Sequence, residues 1–333
     1  MPKVSVIIPN YNHGRYLYQR MESVFNQTYP DFEVLVLDDA STDNSRDIIG
    51  RWRSNPRIRV MLNEVNSGSV FKQWNKGLRE ASGEFVWIAE SDDYCEPQFL
   101  ETLLTRLENN PSAGIAYCQS WVVDENGNKR FVLEETRGGY DADRWRHDFS
   151  NNGRDECARY FIMGCMITNA SSAVLRRSVV EKVGYAEENW TIAGDYAFWV
   201  RMLLESDIEF VAQPLNYWRH HASTVRSQAT RNGVMVKEAY EVAALIARSV
   251  NIPDSTLEKA RAIRFHMWMC YNEDYRFGFR QNRAIYEAAR RFDPAIRRRV
   301  AFYIPQVPLR VLGRPLKRRL SAFLGAKSGS LPT

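Results

Sequence analysis

Short apolar runs alternate with amphipathic stretches through the first 110 residues of the chain. The apolar and β-branched runs predict buried strands, and the stretches with a helical hydrophobic period predict helices. In chain order, strand and helix alternate at 3–9, 16–25, 32–37, 41–52, 57–62, 69–81, 85–89 and 97–109. Because such alternation is typical of a parallel sheet with right-handed crossovers, the expected fold class is α/β, with a doubly wound, mostly parallel central sheet flanked by helices.

Shorter strand-like runs follow residue 110, and the C-terminal third has a helical pattern. The further predicted strands lie at 115–117, 121–123, 131–133, 171–175 and 209–211, with a helix at 195–205. Asn126-Gly127 predicts a hairpin turn. The polar run 138–153, rich in Gly and Asp, predicts a mobile loop. Residues 234–289 are amphipathic with a helical period, broken at Pro253.

The composition is that of a globular protein, since 44% of the 333 residues are hydrophobic and 12% are aromatic. The five cysteines form no C-x-x-C pair and are odd in number, which favours reduced thiols over a disulfide framework or a zinc site. The N-terminus is too short and too β-branched for a secretion signal, and no apolar run has the length of a membrane-spanning helix. We therefore expect a soluble or peripheral protein on the cytoplasmic side.

Positive charge is concentrated at the C-terminus. The net charge is +5, but after Asp293 the chain has no acidic residue and nine lysines and arginines. Residues 295–327 also contain apolar residues and three prolines, which predicts short amphipathic segments rather than one long helix. Such a basic amphipathic segment predicts a surface for anionic lipid, with a solvated terminus as the alternative. The rest of the chain is net negative, so no nucleic-acid partner is expected.

Two predicted strands end in acidic residues. The run 85–89 leads into the acidic run 90–93 (ESDD), and the run 32–37 leads into Asp38-Asp39. Carboxylates this close repel one another, so they need a cation or strong hydrogen-bond donors. Since ligands bind at the C-terminal ends of strands in open α/β sheets, the arrangement predicts a divalent metal site for a phosphate-bearing ligand. A solvated turn with an N-cap aspartate before the next helix is the alternative.

Four motifs, in order along the chain, resemble those of family 2 glycosyltransferases. They are 4–12 (VSVIIPNYN), 23–28 (SVFNQT), 36–43 (VLDDASTD) and 81–85 (ASGEF), the last leading into Asp92-Asp93. Later segments at 175–178, 194–196 and 217–221 are also similar, so the resemblance covers residues 3–225. It implies a GT-A fold, in which a Rossmann-like nucleotide-binding half is joined to an acceptor half.

The resemblance and the change of pattern divide the chain into three regions. Residues 1–225 are expected to form the GT-A domain, with the nucleotide-binding half at 1–110 and the acceptor half at 111–225. Residues 226–296 are expected to form a C-terminal helical extension, and residues 297–333 a basic amphipathic tail.

The resemblance also implies roles for individual residues. The nucleotide-binding positions are Pro9, Tyr11 and Asp39 around the base and Asp92 on the ribose side. Asp93 matches the ligand of a Mn²⁺ or Mg²⁺ ion that bridges the diphosphate, and His221 matches a histidine beside the diphosphate and the metal.

Asp195 matches the catalytic base of inverting members, with Glu187 and Glu188 as alternatives in the preceding polar loop. Three positions depart from the family pattern: Glu90 replaces the first acid of the D-x-D-D block, Trp74 an arginine, and Gly194 an acid before Asp195. Lys72 lies near Trp74 in sequence and could substitute for the missing cation.

The implied function is that of an inverting, metal-dependent glycosyltransferase. It would move a sugar from a nucleotide-diphospho sugar, a UDP- or dTDP-sugar, to a hydroxyl of a glycan or lipid-linked glycan in bacterial-type surface polysaccharide synthesis. A sugar-phosphate nucleotidyltransferase is the alternative enzyme, but the first strand is not followed by a Gly-rich basic loop. A dinucleotide-binding dehydrogenase lacks its G-x-G-x-x-G after a strand. A catalytically inactive scaffold that binds nucleotide sugars stays open.

Overall fold

The computed structural model describes residues 1–133, 139–221 and 229–303 as one central sheet with helices on both faces. The strands are β1 (Val4–Asn10), β2 (Phe32–Asp38), β3 (Ile58–Leu62), β4 (Phe85–Ile88), β5 (Tyr94–Cys95), β6 (Ala113–Val123), β7 (Lys129–Val132), β8 (Phe149–Asn151), β9 (Ala173–Arg176) and β10 (Asp207–Arg219). The helices are α1 (Gly14–Phe25), α2 (Ser45–Trp52), α3 (Val70–Glu80), α4 (Phe99–Asn109), α5 (Gly153–Glu156), α6 (Arg177–Val183), α7 (Gly194–Leu203), α8 (Val234–Ser249), α9 (Asp254–Tyr275), α10 (Phe279–Phe292) and α11 (Ile296–Tyr303).

The order of the strands explains why one edge of the sheet brings together residues from distant parts of the chain. The strands follow the order β3-β2-β1-β4-β9-β6-β10-β5, with β7 beside β6 and β8 beside β10. The first four pair in parallel, as predicted, whereas β9 runs antiparallel between β4 and β6. Since β10 is parallel to β6, the strands β1, β2, β4, β6 and β10 all point the same way. Their C-terminal ends therefore share one edge of the sheet.

The alternation of side chains along the strands divides the core into two layers. Ile7 of β1 faces one layer, with α3 and α7, while Val6 and Ile8 face the other, with α1, α2 and α4. The C-terminal helices α8–α10 join the first layer, because Tyr240 and Trp268 belong to the same buried cluster as Ile7. The predicted helical extension thus shares its core with the sheet instead of burying a separate one.

The C-terminal limits differ in detail from the sequence-based division. Helix α11 continues to Tyr303, past the predicted start of the tail at residue 297. Its Arg299 donates to Asp293 at 2.7 Å and also pairs with Glu258 of α9, so α11 is part of the helical extension. The remainder of the predicted tail, 304–333, and the predicted boundary at 225 lie outside the described residues. Within the described ranges, no helix combines the length and apolar character needed to cross a membrane.

Two local predictions differ in part from the structure. The described part of the predicted loop 138–153 contains a 3₁₀ turn and β8, because Trp145 is buried and its indole N–H donates to the Tyr117 hydroxyl at 3.1 Å. The predicted strands 115–117 and 121–123 form one strand, β6. The polar residues that interrupt its apolar pattern are buried, and Ser120 accepts a hydrogen bond from Asn216 of β10 at 3.0 Å.

Candidate functional site

Three residues that follow three different strands meet at the C-terminal edge of the sheet. His13 follows β1, Asp92 follows β4, and His221 follows β10. A ligand atom of each lies within 4.8 Å of the others, and Nε2 of His221 is 3.1 Å from Oδ2 of Asp92. The rings of His13 and His221 meet edge to face, with centroids 5.6 Å apart. One carboxylate and two imidazoles at this spacing form a candidate metal centre.

For His13 and Asp92, the electrostatics of this cluster favour the protonation states that metal binding needs. Burial lowers the pKa of His13, which favours the neutral ring. Burial alone would raise the pKa of Asp92, but the hydrogen bond with His221 and the positive charge that either imidazole carries when protonated outweigh it, so the pKa lies below its usual value. Nδ1 of His13 lies 2.9 Å from the Ser91 hydroxyl. A proton on Nδ1 would therefore orient the ring with the Nε2 lone pair available, the usual arrangement of a metal-binding histidine.

Asp93, the predicted metal ligand, lies beneath the cluster and is held by protein hydrogen-bond donors. It is 1% exposed; Oδ2 accepts from Asn169 at 2.8 Å and from Ser171 at 2.7 Å. Its Oδ1 accepts from the backbone N–H of Arg219 at 2.9 Å. Burial and the neighbouring charge of Asp92 raise its pKa. In this geometry Asp93 ties the end of β10 to the acidic loop; its role as a metal ligand stays a prediction.

Two of the departures from the family pattern are in contact with each other. The indole N–H of Trp74 donates to Oε1 of Glu90 at 2.6 Å. Burial and the charge of Asp92 raise the pKa of Glu90 to about 8. A glutamate has one more methylene than an aspartate, which provides the reach to the tryptophan on α3. The replacement of a cation by Trp74 is thus matched by an acid whose environment favours the neutral form. Lys72 donates instead to the backbone of Ser67.

The predicted base-pocket residues come together at the same edge, but they differ in exposure. Asp39 is 4% exposed, Pro9 is buried within β1, and Tyr11 is 47% exposed. The backbone N–H of Asp39 donates to the carbonyl of Asn10 at 2.9 Å, which joins the loops after β1 and β2.

The carboxylate of Asp39 is already saturated by hydrogen bonds. It accepts from the side chains of Asn63 at 2.6 Å and Gln73 at 2.8 Å, and from both the backbone N–H and the hydroxyl of Ser67. A carboxylate has about four acceptor positions. In this structure Asp39 therefore fixes the loop between β3 and α3, and its contact with a base stays a prediction.

Asp195, the predicted base, is half-buried in the first turn of α7. All three candidate carboxylates accept hydrogen bonds within the protein. Glu188 accepts from the Asn75 amide at 2.9 Å, Glu187 accepts from the Trp190 indole at 2.9 Å, and Asp195 accepts from the backbone N–H of Tyr196 at 2.6 Å. The assignment of Asp195 as the base therefore stays a prediction.

Gly194 allows α7 to begin against the ring of Phe71. A Cβ built on Gly194 would lie 2.6 Å from two ring carbons, and Phe71 is 3% exposed. The space that an acidic side chain would need at this position is therefore filled by α3.

We expect Gly194→Ala to shift the start of α7, to cost about 1–3 kcal/mol of unfolding free energy as overpacked cores do, and to reduce turnover. Gly50→Ala is the control, since no atom lies within 4 Å of a Cβ there. Urea unfolding and initial rates of both variants test this. Unfolding and turnover of Gly194→Ala like those of the wild type would contradict it.

Sequence reasoning missed His13 as a possible ligand. No short motif could have revealed the cluster, because Asp92 and His221 are 129 positions apart. The available signal was topological: His13 directly follows the first strand, at the edge where the acidic loop also lies.

Solved glycosyltransferases share this fold. Staphylococcus aureus TarS, residues 1–349 in complex with UDP-GlcNAc, matches with a TM-score of 0.67 at 20% identity, over 86% of this chain and 79% of that one. The mannosyltransferase PcManGT from Pyrobaculum calidifontis, in complex with GDP-Man and Mn²⁺, matches with a TM-score of 0.55 at 19% identity, over 97% and 85%. The predicted GT-A class is confirmed.

The family follows from the sequence match. The family model for glycosyl transferase family 2 covers residues 5–184, more than half of the chain, so the chain belongs to that family. The poly(ribitol-phosphate) β-N-acetylglucosaminyltransferase TarS of S. aureus is 37% identical over 114 residues, 34% of this chain and 20% of TarS. Glycosyltransferase GlyG of Streptococcus pneumoniae is 37% identical over 132 residues, 39% of this chain and 43% of GlyG. The chain thus spans less than half the length of either relative.

Proposed function

We propose that the protein transfers a sugar, with inversion, from a nucleotide-diphospho sugar to an acceptor hydroxyl. The observation that carries the proposal is the cluster of His13, Asp92 and His221 at the C-terminal edge of the sheet. A site of this kind is suited to a divalent cation with a diphosphate as its remaining ligand. The GT-A fold and the bound UDP-GlcNAc and GDP-Man of the two matching structures support a nucleotide-sugar donor.

The types of side chain in the cluster indicate which divalent cation the site would bind. Mg²⁺ takes oxygen ligands almost exclusively, whereas imidazole suits transition metals. Two histidines and one carboxylate therefore favour Mn²⁺ over Mg²⁺, and PcManGT is described with Mn²⁺. The proposed ligands are Asp92, His221 and His13, with Asp93 holding the loop behind them. A bound ion would supply Lewis-acid stabilisation of the charge on the leaving diphosphate.

The chain's own groups carry the remaining steps of the proposal. Asp195 takes the proton from the acceptor hydroxyl as that oxygen attacks the anomeric carbon. Tyr11, Pro9 and the loop fixed by Asp39 line the side on which the base would lie.

The acceptor is proposed to be a glycan or a lipid-linked glycan of surface polysaccharide synthesis, used at the cytoplasmic face of the membrane. TarS, named for a polymer acceptor, and the chondroitin and hyaluronan synthases among the relatives support a growing polymer. The two solved complexes carry different bases, so the preference for a UDP- or dTDP-sugar rests on the resemblance of the motifs.

Nucleotide-sugar binding and turnover test the proposal directly. A thermal-shift panel of UDP-, dTDP- and GDP-sugars with Mn²⁺ should raise the apparent stability for the true donor, because a ligand selective for the native state stabilises it by mass action. Release of nucleoside diphosphate should then depend on Mn²⁺ and increase with a glycan acceptor. Binding without any release, across donors and acceptors, would indicate an inactive scaffold.

Binding to a membrane surface is a further expectation of the proposal. The segment 304–333 has six lysines and arginines and no acid, and each such charge near an anionic surface contributes about 1 kcal/mol. We expect the full chain to co-sediment with anionic vesicles at low salt and a chain ending at Tyr303 to lose this binding. That end point keeps α11, which pairs with Asp293 and Glu258. Equal sedimentation with neutral vesicles would contradict an electrostatic surface.

A further inference from the structure

Glu238, on helix α8 of the C-terminal extension, reaches the segment that leads into α7. The residue is 4% exposed. Its carboxylate accepts hydrogen bonds from three successive backbone N–H groups, those of Thr191 at 2.8 Å, Ile192 at 2.9 Å and Ala193 at 2.8 Å. Helix α7 begins at the next residue, Gly194, and Asp195 follows.

This contact is stable for clear physical reasons. Successive N–H groups that converge on one point form an anion-binding concavity, and the N-terminus of a helix adds a positive dipole end. A buried carboxylate without such donors would be costly. The flanking residues Val236 and Tyr240 are fully buried in the shared core, which holds α8 and therefore Glu238 in place.

The residue that follows this segment is held by α3. Gly194 lies against the ring of Phe71 on α3, with no space for a side chain between them. The start of α7 thus has two contacts, an apolar one with α3 and a hydrogen-bonded one with the helical extension. A displacement of either contact moves the backbone that carries Asp195.

We infer that Glu238 is a positioning residue for Asp195, through which the C-terminal helical extension sets the place of the catalytic base. The inference rests on the proposed function, since it takes Asp195 as the base. It assigns to the extension a part in the reaction itself, in addition to covering the core. A 1 Å misplacement of a reacting group can cost about 100-fold in rate.

The test compares Glu238→Gln with Glu241→Gln on the same helix. Glutamine keeps the shape of the side chain but offers one acceptor oxygen instead of two, so some of the hydrogen bonds from the backbone N–H groups of 191–193 are lost. Glu241 pairs with Lys237 at 2.8 Å, and in the described part of the chain it makes no hydrogen bond to the segment 191–193. For Glu238→Gln we expect kcat to fall by about 10- to 100-fold with little change in KM for the sugar donor, and Glu241→Gln to match the wild type.

Hydrogen exchange of the amides in 191–193 gives a readout that does not depend on turnover. Glu238→Gln should speed their exchange, whereas Glu241→Gln should not. Glu238→Asp keeps the charge but shortens the reach, so it should show both effects as well, and it serves if the glutamine variant fails to fold. If Glu238 only stabilises the fold, its variants should have a lower melting temperature without the selective fall in kcat, and this result would overturn the inference.

Asp195→Asn, measured in parallel, distinguishes a failure of the inference about Glu238 from a failure of the assignment of Asp195 as the base. If Asp195→Asn is inactive and Glu238→Gln keeps wild-type kcat despite faster exchange, the inference is overturned and the proposed function stands. If Asp195→Asn keeps its activity, the assignment of the base fails, and the inference fails with it. If the protection of the 191–193 amides from hydrogen exchange does not change in any Glu238 variant, Glu238 does not hold this segment, and the inference is overturned.

Discussion

Asp195→Asn is expected to lower kcat by roughly 10²–10⁴-fold, the usual contribution of general-base assistance, while binding of the sugar donor stays close to that of the wild type. The amide keeps the size of the side chain but cannot accept the acceptor's proton. Asp195 sits half-buried in the first turn of α7, at the position that matches the catalytic base of the family.

Matched controls are available in the same loop. Glu187→Gln and Glu188→Gln should retain most of the wild-type kcat. Initial rates at saturating donor and acceptor, together with calorimetric titration of the nucleotide, check both halves of the prediction. A kcat above about a tenth of the wild-type value in Asp195→Asn would shift the assignment to Glu187 or Glu188.

Asp92→Asn is expected to weaken Mn²⁺ binding by at least about 100-fold, because even residues that only orient a metal ligand cost about 10- to 100-fold in affinity. Turnover should be lost as well. The carboxylate of Asp92 lies within 4.8 Å of a ring nitrogen of both His221 and His13, and an amide oxygen there carries no charge. Electron paramagnetic resonance titration of Mn²⁺ in the presence of UDP measures the binding directly.

Asp93→Asn is the variant that separates the two adjacent aspartates. Asp93 accepts from Asn169, Ser171 and Arg219, so its loss should mainly lower the unfolding free energy, by about 1–3 kcal/mol for buried partners left unpaired. Mn²⁺ binding should largely remain. The reverse result, with Mn²⁺ lost in Asp93→Asn and kept in Asp92→Asn, would restore the ligand role to Asp93.

The nucleotide-binding half was largely predictable from sequence. Strands β1, β2 and β4 are nearly continuous apolar runs, because both of their faces are covered by helices, and these strands and β3 lie where the pattern places them. The second half was harder to predict. Its strands β6 and β10 carry buried polar residues such as Ser120 and Asn216, which satisfy each other across the sheet and break the apolar pattern.

The candidate site was likewise predictable only in part. The position of the acidic loop at the end of β4 followed from the pattern, but the distinction between Asp92 and Asp93 did not. Adjacent residues on a loop point in different directions, and only the surrounding hydrogen-bond donors show which one is held inside. The contacts of Glu90 with Trp74 and of Glu238 with α7 join segments far apart in the chain, so no local pattern could predict them.

Helix α7 and strand β10 form one continuous stretch with a candidate base near its beginning and a candidate metal ligand just past its end. Asp195 lies in the first turn of α7, and His221 follows β10. The last residue of β10, Arg219, donates a backbone hydrogen bond to Asp93. A single inserted residue within β10 would turn every later side chain to the opposite face. We therefore expect evolution to have permitted insertions and deletions in surface turns such as Asp124–Asn128 but to have removed them between 195 and 221. The number of residues in this stretch would then be inherited as strictly as their identity.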